Sequence, residues 1–202
     1  MKTTRHYPCM FLVCFTLSPS ISVQANDFLI EQDGNQGKIQ LEIDNDSNNT
    51  NISVRQAGIE NFLDAGFGKN VSASIEQYGS YGRINLDTFI GKSNQLQIRQ
   101  LGEHNRLHSK FTGNFNSSAT DQIGTDNALV LNVSGNSNQL NIDQGGSSNR
   151  TSLSLGGNNG NFDVSQLGSN NNIDVTSFSS NLSMHISPVS YTHLTLPTTP
   201  YV

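Results

Sequence analysis

Tryptophan is absent from the 202-residue chain, cysteine occurs only at Cys9 and Cys14, and all five prolines lie at positions 8, 19, 188, 197 and 200. With 18 Gly spread without a triplet period and only 13% of residues charged, the sequence is not a collagen, a coiled coil or a disulfide scaffold. Long hydrophobic runs are missing too. The apolar stretch Met10 to Leu17 is too short to cross a hydrocarbon layer of ~30 Å, so no membrane span is expected.

That short stretch has another reading. Lys2, Arg5 and His6 precede it, and Val23-Gln24-Ala25 follows with small residues where a signal peptidase reads. Residues 1–25 are therefore expected to be a secretory signal, cleaved after Ala25, and the product to be secreted to the cell surface. The other end, Pro188 to Thr198, resembles a translated transposon-end adapter of the kind used to build sequencing libraries. Residues 188–202 are expected to be foreign to the repeat, with the natural gene continuing past Ser187.

Between the ends lie 162 residues, Asn26 to Ser187, which hold 26 Asn and every Gly but no Pro or Cys. Their charge is 9 Lys/Arg minus 16 Asp/Glu, or −7, which argues against nucleic acid as a partner. A secreted chain without disulfides must be held together by other means.

The repeat supplies them. Gln-x-Gly occurs at Gln32/Gly34, Gln56/Gly58, Gln77/Gly79, Gln100/Gly102, Gln122/Gly124, Gln144/Gly146 and Gln166/Gly168, at separations of 24, 21, 23, 22, 22 and 22 residues. A fixed period of this size marks a repeat architecture. Three positions after the Gly stands Asn61, Asn105, Asn127, Asn149 or Asn171, with Gly37 and Gly82 in the remaining two repeats. Gly and Asn accept positive φ, so each motif reads as a tight turn.

Four and two residues before the Gln the chain is apolar, as in Ile52/Val54, Leu96/Ile98 and Leu140/Ile142, and this alternation is a strand ending on an inward Gln. Seven, nine and eleven residues after it the alternation resumes, as in Ile39/Leu41/Ile43, Leu63/Ala65/Phe67, Leu129/Leu131/Val133 and Thr151/Leu153/Leu155. Further Gly/Asn-rich turns follow, including Gly113-Asn114 and Gly135-Asn136-Ser137-Asn138. One repeat is thus strand, turn, strand, turn, a unit that buries its apolar face only by stacking. The expected fold is all-β: a two-sheet, parallel, in-register β-solenoid of cross-β type with about 22 residues per rung, spaced ~4.8 Å apart. The two extra residues before Gln56 and the one near Gly91 are expected to lengthen turns.

The position before each Gln reads Glu31, Arg55, Glu76, Arg99, Asp121, Asp143, Ser165, alternating in sign over the first five. Opposite charges on adjacent strands favour this stack by a few tenths of a kcal/mol. The Gln column and the Asn column five residues on are the candidate self-assembly residues. A buried amide left unpaired costs ~1–3 kcal/mol, and stacked amides satisfy one another rung after rung. Ser118 and Thr120, at apolar positions of the fifth repeat, mark it as the expected weak rung.

Other chemistry finds little footing. No catalytic or metal residues are expected and no cofactor is implied, because the acidic residues occupy outward strand positions or turns rather than a pocket. His104 falls in a turn and His108 on a strand, which makes them surface histidines. Gly156 to Gly160 is similar to a calcium-binding glycine repeat but lacks its Asp ligands. The competing reading is a monomeric solenoid adhesin.

Gln-x-Gly-x-x-Asn recurring about every 22 residues behind a signal segment resembles the curlin repeat of bacterial curli, over essentially all of 26–187. The resemblance implies a secreted subunit that polymerises into extracellular functional amyloid of the biofilm matrix, with surface adhesion as its use. The partners it implies are further copies of the chain, a companion major or minor curlin and an outer-membrane curli export pore. Known curlins carry a glycine-rich targeting segment before the first repeat, whereas here Asn26 leads almost directly into Gln32.

Overall fold

The computed structural model describes residues 14–16, 26–35, 37–42, 50–66, 69, 72–187 and 193–196. Ile43, Phe67, most of the expected signal segment and most of the tail after Ser187 lie outside the described residues.

Alternation of small, β-branched and aliphatic residues with polar ones yields strands throughout, and successive strands go to two different sheets. The Gln sheet runs, in spatial order, β2 (Asn26–Asn35), β4 (Thr50–Ile59), β6 (Ser72–Ser80), β8 (Gln95–Glu103), β10 (Ser117–Thr125), β12 (Gln139–Ser147), β14 (Asn161–Ser169) and β16 (Ser183–Ile186). The second sheet runs β1 (Cys14–Thr16), β3 (Lys38–Glu42), β5 (Phe62–Asp64), β7 (Arg83–Ile90), β9 (Arg106–Thr112), β11 (Ala128–Ser134), β13 (Arg150–Gly156), β15 (Asn172–Ser177) and β17 (His193–Leu196). Every pairing is parallel. The chain therefore winds as a β-solenoid, with six full turns between Gln32 and Gln166.

Register follows the repeat. Gln32, Gln56, Gln77, Gln100, Gln122, Gln144 and Gln166 are successive partners across the Gln sheet. Inside, Ile75, Ile98, Thr120, Ile142 and Val164 form one column and Leu107, Leu129, Thr151 and Ile173 another. Strand β8 shows the cause locally: Leu96, Ile98 and Gln100 point in and Gln95, Gln97 and Arg99 point out, so a slip of one residue would expose the whole apolar set. Each fully buried Ile or Leu contributes roughly 1.5–3 kcal/mol.

The structure differs from expectation at two places. The residue that lengthens the interval from Gln77 to Gln100 is taken up inside β7, where the pairing with β9 shifts between Asn85 and Thr88, and not in the turn at Gly91. A bulge absorbs one residue without altering the turn geometry that Gly91 shares with its neighbours. The two extra residues before Gln56 fall within 43–49, outside the described residues. Segments read as external to the repeat also contribute strands: Cys14–Thr16 pairs with Gln40–Glu42, and His193–Leu196 with Asn172–Val175.

Candidate functional site: stacked amide columns

The Gln column is a continuous hydrogen-bonded ladder. Nε2 of Gln32 donates to Oε1 of Gln56 at 3.3 Å, and the same bond follows for Gln56 to Gln77 at 2.6 Å, Gln77 to Gln100 at 2.6 Å, and Gln100 to Gln122 at 2.7 Å. It continues from Gln122 to Gln144 at 2.7 Å and from Gln144 to Gln166 at 2.8 Å. Gln56 through Gln166 are buried, and the second amide proton is also used: Gln122 donates to the Arg106 carbonyl at 3.1 Å and Gln166 to that of Arg150 at 3.2 Å. Every Gln-to-Gln donation points toward the C-terminal rung, while the second proton goes back to a carbonyl of the preceding rung.

The Asn column works by a different route from the one its sequence position implies. Asn61, Asn105, Asn127, Asn149 and Asn171 do not take positive φ. The left-handed residue is the one before each Asn, Glu60, His104, Asp126, Ser148 or Asn170, and Tyr81 before Gly82, with φ between 53° and 59°. Asn is therefore required for its side chain. Nδ2 of Asn127 donates to the carbonyl of Ile123 in its own turn at 3.3 Å and to that of Gly146 in the next rung at 2.9 Å, while its Oδ1 accepts the Asn149 N–H at 3.0 Å. Asn61, Asn105 and Asn149 repeat the arrangement. In the third rung Gly82 substitutes, because a Cβ there would lie 2.6 Å from Gln77 Nε2 and 2.8 Å from Gln100 Oε1.

Gly34, Gly58, Gly79, Gly102, Gly124, Gly146 and Gly168 all have φ between 107° and 132°. A Cβ on Gly124 would sit 1.9 Å from the Gly146 carbonyl oxygen. Close stacking of backbone on backbone, together with the positive φ, fixes glycine here.

Sequence reading missed a second amide column. Gly91, Gly113, Gly135 and Gly157 have φ of 106° to 138°, and Ser93, Phe115, Ser137 and Asn159 follow in the left-handed region at 54° to 59°. Asn94, Asn116 and Asn138 come next, buried, with Asn116 and Asn138 N–H donating to the Oδ1 below at 2.9 and 3.0 Å. Nδ2 of all three reaches the glycine carbonyl above. A further, exposed ladder of Asn114, Asn136 and Asn158 runs outside it. The signal was present as Gly-x-x-Asn at 22-residue intervals, without a Gln to anchor it. Thr151 was likewise read only as a strand position; its hydroxyl is buried and donates to Gln166 Oε1 at 2.9 Å.

The charge column stacks as its order requires. Arg55 Nε meets Glu31 at 2.8 Å, and Arg99 grips Asp121 through two bonds of 3.0 and 2.6 Å. Bonds from Tyr78 and Glu31 hold Arg55 firmly protonated, and Asp121 does the same for Arg99. Asp143 follows Asp121 with no cation between; partial burial first, then the charges of Asp121 and Asp163, raise its pKa. Ser118, Thr120 and Ser109 are buried, and their hydroxyls have no partner among the described residues. His104 is exposed in its turn and stacks on Tyr81 at 4.9 Å, while His108 lies on β9.

Among the described residues no helix is long and apolar enough to cross a membrane. Fold and ladders together define a parallel β-solenoid repeat protein with stacked Gln and Asn side chains. Comparison with protein-family models, with curated proteins and with solved structures finds no match to the chain.

Proposed function

We propose that the chain is a structural subunit that polymerises end on end, the role implied by its likeness to curlins: secreted, functional amyloid of a biofilm matrix. Its partners on this reading are other copies, a companion curlin and an export pore. The observation that carries the proposal is the polarity of the Gln ladder: all six side-chain bonds from Gln32 to Gln166 run from Nε2 to Oε1 toward the C-terminal end. Such a ladder presents an acceptor at its first rung and a donor at its last, and a buried amide group left unmade costs ~1–3 kcal/mol.

The first rung of a second copy has the complementary group. Gln32 stands where an oxygen accepts from the previous Gln. The ladder is polar, so stacking is head to tail and repeats without closing. The test is thioflavin fluorescence of the purified chain at several concentrations, with and without sonicated seeds. A seeded, concentration-dependent rise is expected; a persistently monomeric β-rich species would overturn the proposal.

A further inference from the structure

Each outer face of the solenoid carries one charged column beside its Gln turn, and the two columns have opposite net charge. On the second sheet, Lys38, Arg83, Arg106 and Arg150 share the first strand position after the Gln turn, all exposed, with Phe62 and Ala128 between them. That column has four cations and no acid. Arg83 and Arg106 are direct neighbours, so the stack holds like charges ~4.8 Å apart, an arrangement that opposes folding. Phe62 relieves part of it, with Lys38 5.0 Å and Arg83 5.6 Å from its ring. Among the described residues Arg106 and Arg150 have no ion pair.

The Gln sheet presents the reverse. Its charge column holds four acids and two arginines, a net of −2. Among the described residues Glu76 and Asp143 form no ion pair, and the small side chains of Ser74 and Ala119 leave a groove beside Glu76, Asp121 and Asp143. The adjoining outward column includes Leu101, Ile123 and Leu167, the last two 42% and 53% exposed. An arginine laid on this face covers the apolar column with its stem and places its guanidinium in the acidic groove.

We propose that these faces bind each other between two copies of the chain, the second sheet of one against the Gln sheet of the next. The rung spacing is common to both, so only whole-rung offsets need comparison. With rungs level, Arg106 faces Arg99. With a stagger of two rungs, Lys38 meets Glu76, Arg83 meets Asp121 and Arg106 meets Asp143, and no like charges face one another. The contact is heterologous and does not close, so it gathers solenoids side by side into bundles whether or not they also stack end on end.

The test uses the full chain, by sedimentation and by carbodiimide coupling, which joins a lysine amine to a carboxylate in contact. At low salt, isotope-mixed samples should yield an intermolecular Lys38–Glu76 link. Raising the salt from roughly 10 mM to about 1 M contracts the screening length from ~30 Å to ~3 Å and should abolish both link and lateral association. Arg106→Asp and Asp143→Arg should each reduce the low-salt association, and the double variant should restore it while circular dichroism stays unchanged. Thioflavin kinetics, read in parallel, report end-on growth separately. Salt-independent association, failure of the double variant to restore it, or association that appears only when polyglutamate is added would overturn the proposal, the last in favour of an acidic polymer as the partner.

Discussion

In the four rungs that begin at Gln77, Gln100, Gln122 and Gln144, both turns close on the same backbone: a glycine with φ of 106° to 138°, any residue, a left-handed residue, and then Asn or Gly. They differ in what precedes them. The turn after the Gln sheet follows a buried glutamine ladder, whereas the turn after the second sheet follows apolar residues such as Phe111, Val133 and Leu155 and is instead flanked by the exposed Asn114 ladder. One turn geometry is thus compatible with two different core contents. What it requires in both places is glycine for backbone approach and an amide to tie each rung to the next.

The sharpest way to break the comparison is at the glycines. Gly124→Ala and Gly135→Ala each place a Cβ 1.9 Å from the carbonyl oxygen of the next rung, at a φ that disfavours alanine. Each should destabilise by more than about 4 kcal/mol, equally at the two turns, in chemical denaturation. A large inequality would show that the turns are not equivalent. Next in size, Gln122→Leu leaves the Gln100 amide and the Gln144 oxygen without partners, a cost of ~2–5 kcal/mol from two unmade groups. Asn116→Ala at the other turn should cost a similar amount, since it strips partners from the Asn138 N–H and the Gly135 carbonyl.

Smaller effects sharpen the account within the core. Thr120 stacks between Ile98 and Ile142, and its hydroxyl has no partner among the described residues. Thr120→Val should therefore stabilise by about 1 kcal/mol. Hydrogen exchange should be faster over Ser118–Gln122 than over Leu140–Gln144 in the parent chain, and the variant should narrow the gap. Equal protection in the parent would contradict the weak-rung assignment.

The smallest effect is one of pH. Burial and the neighbouring carboxylates raise the pKa of Asp143 above its ordinary 3.8. A raised folded-state value means that the folded chain binds this proton more tightly than the unfolded chain. The stability it contributes is complete below the unfolded value and is lost as pH rises through the folded one. Asp143→Asn should thus raise stability at neutral pH and flatten the stability profile across the carboxylate range, measured on dilute chain by thermal melts.

Most of this was legible in the sequence because period-two alternation inside a 22-residue period leaves little freedom. Once Gln32 to Gln166 are aligned, strand identity, inward face and register follow, and the Glu31–Arg55 and Arg99–Asp121 contacts with them. What escaped had local causes. Asn at the third position after glycine suggested a positive-φ residue, but tolerance of positive φ is a property of single residues, whereas the left-handed position here accepts Glu, Tyr, His and Phe under compulsion from the stack. The second Asn column lacked the flanking Gln that made the first visible. The surplus residue before Gly91 went into a bulge because both turns around it are too closely stacked to lengthen, a constraint visible only in three dimensions.

The central claim is that rungs stack in register within one chain and onward into the next. Fibre diffraction of the assembled full chain, aligned by flow, tests it most directly. The account predicts a sharp meridional reflection near ~4.8 Å, intensified by seeding with fragments of the same material. Assemblies that pellet without that reflection, or a chain that stays monomeric at every concentration, would contradict it.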